Sequence, residues 1–209
     1  MSRLTPSAQE WSDVPVTTTT LAQRLGLAPS TVSEAVRRLR SAGLLHHEPY
    51  GAIDLTEVGR VAALAMVRRH RLIETFLVEY LGYDWSQVHA EAEVLEHAVS
   101  DRFVDLLDER LGRPARDPHG DPIPAADGTL PELPAVPLLS AAHGATVRVA
   151  RVSDADPAAL DRLRTAGVVL DARLVVRGAD GAGAWLVVGA GAAEVRVDLA
   201  AAAAVWVLP

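Results

Sequence analysis

Cysteine is absent from the 209-residue chain. That excludes disulfides, thiolate zinc sites and iron–sulfur clusters. Lysine is absent as well, so all 20 basic residues are Arg. No apolar run reaches the ~18 residues of a membrane span, and MSRLTPSAQEW at 1–11 has no apolar segment of the secretory kind. No internal repeat is present. A soluble, cytoplasmic protein without a membrane partner is expected.

What is present is unevenly distributed. The net charge of −7 argues at first against a nucleic-acid partner. Residues 1–70, however, hold 8 Arg against 6 acids, and the remainder holds 12 Arg against 21 acids. A weakly basic N-terminal part and an acidic remainder suit a DNA-binding module joined to a separate sensor.

From Thr19, TLAQRLGLAPSTVSEAVRRLRSAG reads as helix, tight turn, helix. Leu21, Ala22 and Leu25 are expected to face inward, with the turn at Gly26, where glycine takes a left-handed conformation. Pro29 suits a first helical turn, and Thr31 with Glu34 has the spacing of a capping box. Val32, Ala35, Val36 and Leu39 form the expected buried stripe. Ser30, Thr31, Ser33, Glu34, Arg37 and Arg38 lie outward. Small hydroxyls that reach base edges, followed one turn later by Arg against phosphate, are what a recognition helix needs. Short strands at 44–48 and 52–55 around Pro49-Tyr50-Gly51 form a β-wing, which places Tyr50 with the DNA-contacting residues. Thr56 caps the next helix, which runs to about Gly82.

That helix carries HRLIE at 70–74, and the next carries HAEAEVLEH at 89–97. At about 100° per residue Glu93 lies about 40° from His89, with Glu96 and His97 on the same stripe and Glu91 roughly opposite. His70 and Glu74 repeat the i, i+4 spacing one helix earlier. Imidazoles and carboxylates without sulfur suit a harder divalent first-row metal. E-x-x-E-H at 93–97 lacks the ligand pair of the zinc hydrolases. Because His70, His89 and His97 must be neutral to ligate, affinity is expected to fall as pH drops through about 6. Asp84 or Ser86 starts the second helix, and SDRFVDLLDERLG forms a third. Val94, Leu95, Val99, Phe103, Leu106, Leu107 and Leu111 supply apolar surface for both a core and a dimer interface.

Residues 112–140 are rich in proline and read as a linker or ordered loop, neither helix nor sheet. There His119 and Asp121 are of the types that bind metal, but a surface loop role is the expectation. From Thr146, short strands at 147–149, 174–176, 185–188, 195–197 and 205–207 alternate with Gly and Asp turns. A short helix capped by Asp156 is inserted among them, and Ala200–Ala204 makes a helical turn. This is the pattern of a small SH3-like barrel.

The order of parts, with AMVRRHRLIETFL, VHAEAEVLEHAVSD and DPHGDPIP as its most specific stretches, resembles the diphtheria toxin repressor family of metalloregulators. The resemblance covers nearly the whole chain. It implies an α+β protein: a winged helix–turn–helix over 1–66, a helical dimerisation and metal-binding domain over 67–125, a Pro-rich linker over 126–140, and an SH3-like domain of FeoA type over 141–209. It implies one metal site at His70, Glu74 and His89, and a second built on Glu93, Glu96 and His97. Glu at position 93, where iron-responsive members have Cys, matches the manganese branch. In that branch an acidic residue near the start of the first helix adds a ligand. SAQEW at 7–11 matches the end of that helix, so the native start is expected upstream, or the site is incomplete. Barrel residues ligate in some members, and Asp154 and Asp156 lie in the matching region.

The sequence thus reads as a homodimeric, Mn(II)-activated repressor that binds double-stranded operator DNA and controls metal-ion uptake genes. Fe(II), Co(II) or Zn(II) would substitute in vitro, and an Fe(II)-responsive regulator is the near alternative. A di-metal enzyme is the rival from another class, but no nucleophile or base stands outside the ligand set. Neither enzymatic activity nor a small organic substrate is expected.

Overall fold

The computed structural model describes residues 15–48, 51–179, 185–190 and 193–209. The chain forms two compact units, Met1–Arg68 with Pro124–Leu130, and Arg69–Ile123 with Pro131–Pro209.

In the first unit, α1 (Thr18–Leu25) begins at Thr17, which forms a reciprocal capping box with Thr20. It ends at Gly26, whose φ of 63° places it in the left-handed region. α2 (Pro29–Ser41) starts on its proline, and its N-cap Ala28 makes no side-chain cap bond. The capping box expected at Thr31 and Glu34 is not formed. Both residues lie inside the helix, where Glu34 is held by Arg37 at 2.6 Å instead. Ala22, Val32, Val36 and Leu45 make a small core, with Leu21 and Ile53 packed against it. Leu25 and Leu39, expected to face inward, are 58% and 43% exposed. So small a core covers only the centre of each apolar stripe. β1 (Leu45–His47) and β2 (Ile53–Leu55) pair antiparallel, Leu45 opposite Leu55, and Ile53 N–H donates to Val16 C=O. Thr56 accepts from the Gly59 N–H and donates to Gly43 C=O, which starts α3 (Glu57–Leu81). Gly59 is required here, because a Cβ would lie 1.7 Å from the Leu44 carbonyl oxygen.

α3 is one continuous 25-residue helix, and its residues from Arg69 onward belong to the second unit. There it packs with α4 (Val88–Glu96) and α5 (Asp101–Arg110), the latter capped by Ser100. Leu72, Ile73, Leu77, Val88, Ala92, Val104, Leu107 and Ile123 form the core. Fully burying a Leu, Ile or Val side chain of this kind contributes about 1.5–3 kcal/mol. Val94, Phe103 and Leu106 stay exposed.

The barrel is a six-stranded sheet in the order β3-β8-β4-β5-β6-β7. Its strands are β3 (Val136–Pro137), β4 (Thr146–Val152), β5 (Arg173–Ala179), β6 (Trp185–Ala190), β7 (Ala193–Asp198) and β8 (Val205–Leu208). α6 (Pro157–Thr165), capped by Asp156, and α7 (Leu199–Ala203), capped by Asp198, close the core formed by Val149, Leu160, Leu163, Leu174 and Val205. One expectation fails: part of the Pro-rich stretch is regular structure. Val136 and Pro137 pair with Val207 and Trp206, and Leu138–Ser140 is a 3-10 turn that buries Leu138 completely. A proline is tolerated there because β3 is an edge strand. Otherwise the α+β architecture is the expected one: winged helix–turn–helix, helical domain and SH3-like barrel.

Candidate metal centre and nucleic-acid face

The centre is built on Glu74, which the core side of α3 carries 1% exposed. His70 lies one turn earlier, with Nε2 2.9 Å from Glu74 Oε1. His89, from the first turn of α4, places Nδ1 3.1 Å from the same oxygen and 3.0 Å from His70 Nε2. The other ring nitrogen of His70 lies 2.7 Å from Glu96 Oε2. From the barrel, Asp154 Oδ2 stands 3.4 Å from His89 Nδ1. Asp156 is engaged in capping α6.

The second carboxylate oxygen of Glu74 faces a different group. His119 Nδ1 lies 3.9 Å away, in a side chain 1% exposed. Its Nε2 is 2.7 Å from the Trp85 carbonyl, to which it must donate, so in the neutral ring Nδ1 carries the lone pair. Among the described residues that nitrogen is buried and has no hydrogen-bond partner. Asp117 completes a buried trio with Glu74 and His119, all within 4.8 Å of one another. The expectation of a surface role for His119 and Asp121 is therefore overturned: both are buried. The loop is pulled inward because Val152 N–H donates to His119 C=O, and Asp117 accepts from the N–H groups of His119 and Asp121.

The electrostatics follow the geometry. Burial alone would lower the pKa of His70, but the carboxylates of Glu74 and Glu96 outweigh it and raise the ring to about 9. Burial would raise Glu74, but His70 and His89 hold it down to about 2. His89 is also raised, chiefly by Glu74. Asp117 is pushed up by burial and by the neighbouring charge of Asp121. A positive charge is thus wanted at this point, and without a metal a proton provides it.

The donor set fits a divalent ion. Ligand atoms about 2.1 Å from one octahedral ion lie about 3 Å apart. The separations among His70 Nε2, His89 Nδ1 and Glu74 Oε1 are 2.9, 3.0 and 3.1 Å. The orphaned His119 Nδ1 supplies a further lone pair beside them.

The remaining sequence candidates are less gathered. Glu93 lies 3.6 Å from His89 Nε2, and His97 lies 3.5 Å from Glu96. Glu93 and His97 are 62% and 72% exposed in their side chains. Among the described residues, Glu93, Glu96 and His97 do not form a trio of convergent ligand atoms. Reasoning from sequence missed Asp117, and it raised His119 as a metal-binding type but preferred a surface role for it. Their only signal was the two carboxylates and the His packed into DPHGDPIP.

On α2, Ser30, Thr31, Ser33, Glu34, Arg37 and Arg38 are all exposed. Arg37 is bound by Glu34 through both carboxylate oxygens. Tyr50 lies outside the described residues.

The chain is similar to known proteins over most of its length. Residues 7–53 match the iron dependent repressor N-terminal DNA binding domain, residues 56–125 the iron dependent repressor metal binding and dimerisation domain, and residues 136–209 the FeoA domain. The iron-dependent repressor IdeR of Mycobacterium tuberculosis (strain ATCC 25618 / H37Rv) is 34% identical over 180 residues, 80% of this chain and 78% of that one. A manganese-dependent transcriptional repressor in complex with manganese superposes with a TM-score of 0.88 at 51% identity, covering 97% of this chain and 94% of the other. ScaR with bound Cd2+ gives 0.81 at 32% identity, over 96% and 94%. The chain belongs to the iron-dependent repressor family, that of the diphtheria toxin repressor, whose members are metal-dependent, DNA-binding transcriptional repressors.

Proposed function

We propose that this protein is a homodimeric repressor that binds operator DNA when loaded with Mn(II), and that it governs metal-ion uptake genes from the cytoplasm. The observation that carries the metal is the convergence of His70 and His89 on Glu74 beside the unsatisfied Nδ1 of His119. His70, Glu74, His89, His119 and Asp154 would hold the ion, with Asp117 behind them. Its charge would take the place of the proton that the raised pKa of His70 favours. Oxygen and imidazole donors without sulfur favour Mn(II) over softer ions, as does the likeness to a manganese-dependent repressor. Glu93, Glu96 and His97 are the proposed remainder of the metal-binding surface.

α3 links metal to DNA in this reading. It carries His70 and Glu74, and its first turn is seated on Leu44 of the winged unit. Ligand residues held in place on one part of a continuous helix restrain the rest of it, so the ion favours one of two conformational states. Ser30, Thr31 and Ser33 would meet base edges, Arg37, Arg38 and Tyr50 the backbone, and Glu34 would lie at the same face holding Arg37. Exposed Val94, Phe103 and Leu106 would provide the dimer contact.

The test is a DNA-shift assay on the upstream region of the protein's own gene, with chelator, Mn(II), Fe(II), Co(II) and Zn(II) in parallel. A shift with Mn(II) that chelator abolishes is expected. Equal binding in chelator would remove the metal from the mechanism.

A further inference from the structure

Beside the candidate metal ligands, the second unit buries a chain of charges. Arg71 of α3 donates to Asp121 Oδ1 at 3.0 Å and to the Pro122 carbonyl, and its Nε lies 3.4 Å from Asp117. Asp121 Oδ2 accepts from Arg151 Nε of β4 at 2.9 Å. The Arg151 guanidinium in turn lies over the Trp206 ring, 4.3 Å from its centroid. Arg71, Asp121 and Arg151 are 7%, 5% and 3% exposed.

Each of these three residues lies within three positions of a candidate ligand in the chain. Arg71 precedes Glu74 on α3, Asp121 follows His119 in the loop, and Arg151 precedes Asp154 at the end of β4. The three elements that deliver ligands are therefore tied to one another next to the points of delivery. The loop is also seated on β4: at Gly120 a Cβ would lie 2.1 Å from Ala150 O and 2.9 Å from Arg151 Cα. Burying charges is costly, and apolar side chains would bind the barrel to the helices at least as strongly. What directed charge-assisted hydrogen bonds add is a fixed register, which an apolar contact does not impose.

We propose that Arg71, Asp121 and Arg151 form a strut whose role is to set the positions of His119 and Asp154 at the metal centre. They are positioning residues, and the proposal rests on the metal-centre reading above. Groups that orient metal ligands typically change affinity by about 10- to 100-fold when removed.

The test is calorimetric titration of Mn(II) into the full chain carrying Asp121→Asn or Arg151→Gln. The two changes alter the local charge in opposite senses. If only the field mattered, loss of Asp121 would weaken cation binding and loss of Arg151 would strengthen it. The strut requires both to weaken it, by about tenfold or more. Removing the ligands it positions, through His119→Ala with Asp154→Ala, should then abolish most of the Asp121→Asn effect. Tighter or unchanged binding by Arg151→Gln overturns the proposal, and so does an Asp121→Asn effect that persists in the ligand-deleted background. Should either variant fail to fold by circular dichroism, Arg151→Lys, which keeps the charge but not the fork, must still lose severalfold in affinity. Amide exchange across 117–121 and 149–152 is followed without metal in wild type and Asp121→Asn. Faster exchange in the variant is required, and equal rates overturn the strut. A wild type that binds no Mn(II) would instead overturn the metal-centre reading, while the exchange measurement still judges the strut.

Discussion

His119 Nδ1 and Glu74 Oε2 stand 3.9 Å apart in side chains that are each 1% exposed, and among the described residues that nitrogen has no hydrogen-bond partner. Leaving a buried acceptor unmet costs about 1–3 kcal/mol. A cation shared with Glu74 would remove that cost. His119→Phe keeps a ring against Trp85, which stacks on it at 5.7 Å, and removes the lone pair. We predict that Mn(II) affinity falls by about tenfold or more, as for loss of a group in the metal environment. In the metal-free fold the unmet Trp85 carbonyl costs about 1–3 kcal/mol, but loss of the unmet Nδ1 offsets it, so stability should change little. Titration calorimetry and thermal melts separate the two effects. Unchanged affinity would place His119 outside the centre.

The pH dependence is set by His70 and Glu74. With its folded pKa raised from 6.5 to about 9, His70 stabilises the metal-free fold fully below the unfolded value, and that contribution is lost as pH rises through 9. Glu74, lowered from 4.5 to about 2, contributes above its unfolded value and loses that contribution as pH falls through 2. Metal must displace the His70 proton, so affinity should keep rising with pH to about 9 rather than level off near 6 as free histidines suggest. Near pH 7.5, binding should release about one proton from His70. Calorimetry in two buffers of different ionisation enthalpy measures that number, and zero release would contradict the protonated state.

How far the site was legible depends on where its groups lie in the chain. His70, Glu74 and His89 were readable because helical periodicity puts them on one face. Asp154 was readable only through family resemblance, and 3.4 Å from His89 is where the barrel brings it. Asp117 was not readable, and His119 was passed over for a surface role, since a polar, Pro-rich loop looks solvated until Arg71 and β4 are known to cover it. The same holds for Val136 and Pro137, whose strand exists only because β8 returns beside them. Leu25 and Leu39 erred the other way: periodicity marks an apolar face but not how wide a partner covers it.

Exposed apolar groups on α4 and α5 bear on assembly. Val94, Phe103 and Leu106 are 68%, 45% and 52% exposed. Phe103 and Leu106 are three residues apart on one helix, so their side chains share a face. Phe103→Glu with Leu106→Glu should leave the monomer folded, because the α5 core residues Val104 and Leu107 are untouched. Sedimentation should then show a dimer in wild type and a monomer in the variant, with operator affinity lost alongside. A variant that stays dimeric would locate the interface elsewhere.

On α2, Glu34 holds Arg37 at 2.6 Å, so that cation is partly neutralised before DNA arrives. Glu34→Gln should release it and tighten binding to all sequences. The plot of log affinity against log salt should steepen by about 0.9 for one further phosphate contact. Arg37→Ala should reverse this gain in the Glu34→Gln background. If Glu34→Gln weakens binding to the operator alone, Glu34 reads a base rather than restraining Arg37.

Glu93 is the residue by which metal choice is tested. Its carboxylate is largely exposed and lies 3.6 Å from His89 Nε2, so substitution there disturbs no core contact. A carboxylate is a hard donor suited to Mn(II), whereas a thiolate favours softer or later metals, which already lead in intrinsic affinity. The chain contains no other cysteine, so Glu93→Cys introduces a single soft donor. We predict that the variant folds and dimerises but loses activation by Mn(II) relative to Fe(II). The quantity to measure is the ratio of DNA binding with Mn(II) to that with Fe(II), anaerobically and side by side with wild type. An equal ratio in both proteins would show that position 93 does not set the preference. Selectivity would then have to arise from the deeper donors around Glu74, where Asp117 and His119 offer oxygen and nitrogen and no sulfur.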